Sequence, residues 1–357
     1  MRPSAHGTLP KSRRAVAFVV VIVFSLCIGH AIPQSQNSEV QRLLKQGQRA
    51  LDASDFVTAV SLFEHAKQIA PESLAVNRGL VLSYVQAARL PDALDLGAKA
   101  VVQWPNDAPL LHWLGLAYFK QKMNVPALEA LRRSEALDGS QFGIHFDIAL
   151  VLLSDDHYSE AADELEKAIK LNSSEALPHV LLGRSYQNSN RTLDGIEQFK
   201  TALRLDPNLP LGHYHLGFAY SSLGRVPEAI TEYKKEIARS PEDPSVLYQL
   251  GHSLLEMGKW QEAVTYLKNA TELDSQNADA SYDLGKALLL AGDAKTAVAA
   301  LRQALELNPA NASAHYQLSR ALDKLGHKEE AQQERRRFAE LKKAEPESGG
   351  MASGRSQ

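Results

Sequence analysis

The chain has 357 residues, with 39 Lys and Arg against 42 Asp and Glu and a single cysteine. A formal charge of −3 argues against a general nucleic-acid binder, whose affinity rests on excess positive charge. One cysteine excludes a disulfide scaffold.

At the N-terminus, Arg2, Lys11, Arg13 and Arg14 precede an apolar run from Ala15 to Ile28, and Gly29-His30-Ala31 follows with small residues at both cleavage positions. This layout predicts a secretory signal over residues 1–31 and a linker over 32–39. Extending the apolar run to Ile32 gives 18 residues, so an uncleaved membrane anchor over 15–32 is the alternative. Both place the rest of the chain outside the cytoplasm, periplasmic or secreted. Cys27 lies inside this segment, and Leu26 before it is bulky where a lipoprotein signal wants a small residue. Removing the segment leaves 35 basic and 42 acidic residues, a balance near −7.

From residue 40 a period of 34 governs the chain. Gly47, Val81, Gly115, Ala149, Gly183, Gly217, Gly251, Gly285 and Ser319 form one small-residue column. A second is Ala at 59, 93, 127, 161, 229, 263, 297 and 331, broken by Gly195. A proline column holds Pro71, Pro105, Pro207, Pro241 and Pro309. Nine units fit without insertion: 40–73, 74–107, 108–141, 142–175, 176–209, 210–243, 244–277, 278–311 and 312–345, numbered repeats 1 to 9 below. An unbroken period describes one elongated array, not several globules.

Within repeat 6, apolar or small positions at Leu211, Tyr214, Leu216, Gly217, Phe218 and Tyr220, then at Ala229, Ile230, Tyr233 and Ile237, have helical spacing. Gly224 is placed to end the first helix and Pro227 to begin the second. Gly258, Gly292 and Gly326 repeat that stop, whereas repeats 1 to 5 carry Ser54, Ala88, Lys122, Asp156 and Asn190 there. Turns longer or looser than the others are expected in those five repeats. One helix pair cannot bury its own apolar face, so stability has to come from stacking on neighbours.

These columns resemble the tetratricopeptide repeat family. Repeat 6 supplies Leu216-Gly217, Tyr220, Ala229 and Tyr233, and repeat 5 supplies Leu182-Gly183, Tyr186, Phe199, Ala202 and Pro207. The resemblance spans 306 of 357 residues. It implies an all-α fold, a right-handed α-solenoid of about nine 34-residue helix-turn-helix repeats, with an interaction role and no enzymatic one. The tryptophan usual at the fourth position of the unit is absent. His145, His179, His213 and His315 stand there in four repeats, and Leu, Asn or Ser in the others.

His213 is therefore read as filling a packing slot. His215 lies two residues along the same helix, about 200° away, so the two rings cannot share a metal. No HExxH, P-loop, dinucleotide fingerprint or GxSxG occurs, and no catalytic residue, metal site or cofactor is assigned. The basic residues Arg335 to Arg337, Lys342 and Lys343 give the last helix a polar outer face suited to capping. Residues 346–357 read as a disordered tail.

By the resemblance, the first helix of each unit lines a groove that receives a protein or peptide. The candidate contacts form two halves. In repeats 3 and 4 they are apolar: Trp113, Leu116, Phe119, Phe146, Leu150 and Leu153. In repeats 6 to 9 a tyrosine recurs at Tyr214, Tyr248, Tyr282 and Tyr316, accompanied by Phe218, His252, Lys286 and Arg320. The expected function is an exported scaffold docking a polypeptide segment. The alternatives are a self-associating envelope subunit and, more remotely, an enzyme with an unrecognised site.

Overall fold

The structure, a computed structural model, describes residues 34–344. The signal or anchor segment and the C-terminal tail read from the sequence lie outside the described residues. Among the described residues there are 18 helices and no strand. They pair as nine antiparallel hairpins: α1 (Gln34–Asp52) with α2 (Phe56–Ile69), α3 (Leu74–Gln86) with α4 (Leu90–Gln103), α5 (Ala108–Lys120) with α6 (Asn124–Leu137), and α7 (Phe142–Ser154) with α8 (Tyr158–Leu171). Then follow α9 (Ala176–Asn188) with α10 (Thr192–Leu205), α11 (Gly212–Ser222) with α12 (Val226–Ile237), and α13 (Pro244–Glu256) with α14 (Trp260–Leu273). The last two are α15 (Ala278–Ala291) with α16 (Ala294–Leu307), and α17 (Ala312–Lys324) with α18 (Lys328–Ala344). Helix α1 begins at Gln34, so residues 34–39 are helical rather than the linker expected from the sequence. No helix among the described residues is long and apolar enough to cross a membrane.

Every hairpin turn closes in the same way. A residue with φ near +60 to +98° follows the first helix, and the next backbone N–H donates to the carbonyl five residues back. That is the Schellman arrangement, which satisfies carbonyls left open at the helix end. Glycines take the left-handed position in repeats 6 to 9, with φ of 70, 73, 98 and 82°. Ser54, Ala88, Lys122, Asp156 and Asn190 adopt φ of 57 to 60° in repeats 1 to 5. The expectation of longer or looser turns there was wrong. The closing bond runs from Asp55 to Ala50 at 2.8 Å and from Arg191 to Tyr186 at 2.7 Å, as short as those after the glycines. The hydrogen bond and the packing on both sides outweigh the roughly 1–2 kcal/mol that an L-residue loses in this conformation. Aspartate or asparagine side chains then cap many helix starts, as Asp107 does for Leu110 at 3.0 Å and Asn277 for Ala280 at 2.9 Å.

The two helices of a hairpin meet where a large side chain of the second rests on a glycine of the first. Phe199 covers Gly183, Tyr233 covers Gly217, Leu267 covers Gly251 and Leu301 covers Gly285. A Cβ built on any of these glycines would come within 2.5 to 2.8 Å of the covering side chain, closer than van der Waals contact permits. Phe63 is wedged between two repeats, because Cβ atoms on both Gly47 and Gly79 would strike its ring. Repeat 2 inverts the pair, with Val81 on the first helix and Gly97 on the second. The volume is conserved while the sides exchange.

First helices of successive hairpins come into close contact along the stack, with α7 and α9 the more distant pair, whereas second helices do not approach one another in this way. Such a stack curves toward its first helices, which therefore line the concave side. The fold is an all-α solenoid whose core is a chain of apolar clusters, each shared by adjacent hairpins.

Two glycine changes separate the roles of turn and contact. Ala88→Gly, relieving a left-handed alanine, is expected to raise stability by roughly 0.5–1 kcal/mol, the αL relief exceeding the added chain entropy. Gly79→Ala, pushing against the Phe63 ring, is expected to lower it by about 1–3 kcal/mol. Urea denaturation midpoints of the single variants check both signs.

Candidate functional site

The concave face is the candidate site, and its two halves differ in how much side chain they offer. Trp113, Leu116, Phe119, Phe146, Leu150 and Leu153 are all half-buried. Trp113 packs on the cluster of Val81, Ala100 and Leu110, and Leu116 on that around Tyr84 and Val85. Phe119 and Leu153 lie against Ile144, Ile148 and Leu152, while Phe146 and Leu150 pack against Leu165, Leu181 and Leu182. Phe142 stacks on Phe146 at 5.4 Å. All six lie on first helices, and each is partly covered where neighbouring helices meet.

In repeats 6 to 9 the aromatic rungs stand further out. Phe218 is 42% exposed and Tyr316 43% exposed. Tyr214, Tyr248 and Tyr282 are half-buried, with burial raising the pKa of each hydroxyl. Tyr214 stacks with Phe218 at 6.3 Å, and the Arg320 guanidinium sits over the Tyr316 ring at 5.8 Å. Lys286 is half-buried in the same face. Each rung comes from the fifth or ninth position of a first helix, so one rigid element positions each ring.

Charged groups on this face are used to join repeats. Arg78 of α3 forms a bidentate pair with Asp107, the residue that caps α5. His112 of α5 meets Asp147 of α7 at 2.7 Å. His252 of α13 meets Asp283 of α15 at 2.7 Å and lies 3.6 Å from Glu256. The hydrogen bond to Asp283 raises the His252 pKa against the opposing effect of burial. His252, a candidate ligand contact in the sequence, is therefore also a tie between repeats 7 and 8.

The fourth-position histidines share an unexpected second role. Each puts Nδ1 against a polar side chain 19 residues on, in the second helix of its own hairpin. His145 meets Glu164 at 2.8 Å, His213 meets Glu232 at 2.6 Å and His315 meets Glu334 at 2.5 Å. His179 meets Gln198 at 2.8 Å. The five repeats without histidine carry Leu62, Leu96, Ala130, Tyr266 and Ala300 at the partner position. The signal was legible as two columns changing together, and reading the histidine as a packing residue alone missed it. His215 lies apart from this, with its ring stacked on Phe199 of α10 at 5.7 Å while His213 bonds to α12. Burial, assisted by Arg184, lowers the His215 pKa to about 4.

At the junction of repeats 3 and 4 the clasp is more elaborate. Arg132 reaches both Glu135 and Glu164, and Lys167 lies 3.2 and 3.0 Å from the same two carboxylates. Burial raises the pKa of both acids, and hydrogen bonds outweigh it to leave each lowered: from Arg132 and Lys167 for Glu135, and from His145, Arg132 and Lys167 for Glu164.

Comparison with known proteins places these hairpins. Tetratricopeptide repeat models match residues 248–312 and 288–337, and a TPR repeat model matches 195–224, so the chain carries tetratricopeptide repeats. No curated protein matches the chain. Among solved structures, a chain of the APC/C hetero-tetramer Cut9–Hcn1 superposes with a TM-score of 0.51 at 18% identity. It covers 78% of this chain, which spans only 55% of that one. PilF of Pseudomonas aeruginosa superposes with a TM-score of 0.51 at 20% identity over 58% of this chain and 94% of its own. At these identities the likeness is one of fold.

The two histidines with opposite shifts set opposite pH responses. His215 is harder to protonate folded than unfolded, so its contribution falls as pH drops from about 6.5 toward about 4. His252 is easier to protonate folded, so its contribution is full below about 6.5 and is lost as pH rises through its raised pKa. His215→Phe is expected to reduce the fall in melting temperature between pH 6.5 and 4, measured against the parent protein. An unchanged acid limb would show that His215 does not carry it.

Proposed function

We propose that the chain is an exported, non-enzymatic scaffold that holds a peptide or protein segment along its concave face. The observation that supports this most is the row of aromatic rungs in repeats 6 to 9. Phe218 and Tyr316 remain more than two-fifths exposed although the solenoid buries other large rings almost fully, Phe63, Phe199 and Tyr233 among them. Rigid aromatic side chains on successive first helices offer contact area with few torsions to freeze, which suits them as anchors for a bound polypeptide. The half-buried set from Trp113 to Leu153 then extends the floor of the groove and keeps neighbouring repeats in register.

Export rests on the N-terminal sequence: basic residues, an apolar run and small residues at 29 and 31. The absence of an enzymatic role rests on the lack of any recognised catalytic constellation in the sequence and on charges that the groove spends on ties between repeats.

The test begins with the protein lacking residues 1–31, immobilised and exposed to an extract of its own compartment. The double variant Phe218→Ala/Tyr316→Ala is expected to weaken capture of the main bound protein by about 10-fold or more, since each ring is an exposed anchor. Its melting temperature should fall by only a few degrees. Equal capture by variant and parent would remove the groove from the binding site. Light scattering in the same experiment reads the rival outcome, self-association.

A further inference from the structure

We infer that Glu135, His145 and Glu164, brought together at the junction of repeats 3 and 4, form a binding site for a divalent metal cation of the zinc class. His145 Nε2 lies 2.9 Å from the Gly139 carbonyl oxygen, to which it donates its proton. The lone pair of Nδ1 then faces Glu164 Oε2 at 2.8 Å and Glu135 Oε1 at 3.5 Å. A lone pair opposed by two carboxylate oxygens requires a cation between them, either a proton or a metal ion. The three ligand atoms lie within 4.8 Å of one another. Zinc with bonds of about 2.0–2.2 Å to nitrogen and oxygen sets its ligand atoms roughly 3.3 Å apart, so modest side-chain motion closes the set.

The surroundings match what a ligating set needs. The backbone carbonyl fixes the imidazole tautomer and ring orientation, which is the usual support of a metal-binding histidine. Arg132 binds the far oxygens, Glu135 Oε2 at 2.8 Å and Glu164 Oε1, leaving the near oxygens turned to His145. Lys167 is the one base that touches a near oxygen, Glu135 Oε1 at 3.2 Å. Its side chain is 46% exposed, and on metal binding it has to give up Glu135 Oε1 while keeping Glu164 Oε1 at 3.0 Å. A cleft of ≈ 580 Å³, lined by Glu135 and His145 together with Arg132, Gly139, Lys167 and Leu171, gives access from solvent to two of the three ligands and room for a water as fourth ligand.

The chain contains its own controls. The clasps of His213 with Glu232 and His315 with Glu334 have the same two groups, yet Leu203 and Leu305 occupy the column where repeat 3 has Glu135. That column reads Lys67, Val101, Glu135, Ile169, Leu203, Ile237, Thr271, Leu305 and Ala339, so a third carboxylate is present at one junction among nine repeats. Placing an acid in a largely apolar column costs desolvation, which hydrogen bonds from Arg132 and Lys167 already offset. Because Glu135 belongs to one repeat and His145 and Glu164 to the next, the ion would fasten two hairpins together.

The experiment uses the full chain, stripped of metal and titrated with zinc chloride against a chromophoric chelator at neutral pH. One tight equivalent per chain is expected, with a rise in melting temperature on binding, since the ion binds the folded form. Glu135→Leu, which installs the residue of repeats 5 and 8, should lose that equivalent and its thermal shift. Glu135→Gln, closer in size and hydrogen bonding, should lose both as well and covers the case in which the leucine variant fails to fold. His213→Phe, at the two-ligand junction, should leave zinc uptake unchanged. Equal uptake by parent and Glu135 variants, or a parent whose melting temperature ignores zinc, would overturn the site and leave a proton as the bridging cation.

Discussion

The architecture depends on one contact repeated along the chain, a large side chain of the second helix seated on a glycine of the first. The contact sets how closely the helices of a hairpin approach, and hence the surface they present together to the next hairpin. Phe63 shows the step from hairpin to stack, because its ring fills the space left by glycines in two successive repeats. Burying one such side chain is worth about 1.5–3 kcal/mol, and no hairpin can realise that gain without its neighbour. Repeat 2 shows that the requirement is one of summed volume. With Val81 and Gly97 the large and small partners change sides, and the stack continues.

Much of this was legible in the sequence because the contact leaves a column of small residues at fixed spacing. Glycine at 183, 217, 251 and 285 and alanine at 59, 93 and 127 register the helix crossings directly. The turns were harder to read, since glycine is a sufficient device for a left-handed residue and not a necessary one. Ala88 and Lys122 accept that conformation because the helix geometry and the closing hydrogen bond are already determined on both sides of them. The residues read as groove candidates all lie on first helices. Their exposure was not legible, because how far Trp113 or Leu150 is covered depends on the approach of the neighbouring first helix.

The polar residues were the least legible part, for a related reason. A histidine in a column of packing residues reads as packing until its partner, 19 residues on, is compared across repeats. Four histidines with Glu or Gln opposite, against five repeats with apolar partners, show that the slot alternates between two ways of closing a hairpin. One places Leu43, Asn77, Leu111, Leu247 or Ser281 in the slot, with no hydrogen bond to the side chain 19 residues on. The other buries a hydrogen bond, which adds direction at little net gain in stability. Glu135 was less visible still, since its companions belong to the following repeat and only the three-dimensional stack brings them to one point.

Apolar and polar joints divide the solenoid into regions with different tolerance for motion. An apolar cluster, such as the one linking Leu254, Leu267 and Ala287, keeps much of its energy when one helix slides slightly over another. A bidentate pair such as Arg78 with Asp107, or the arginine-bridged acids at 135 and 164, loses most of its energy under the same displacement, because hydrogen bonds are directional. The directional joints of repeats 2 to 4 coincide with the half of the concave face whose apolar side chains are covered. The exposed rungs Phe218 and Tyr316 lie where hairpins meet through rings and aliphatic clusters, with the His252–Asp283 tie between first helices and the Lys234–Glu262 and Arg302–Glu330 pairs between exposed second-helix side chains. Rings and aliphatic clusters around those rungs tolerate a small sliding motion better than directional ion pairs do. A groove needs that tolerance if a bound segment is to be gripped by aromatic anchors without the whole solenoid being ordered anew.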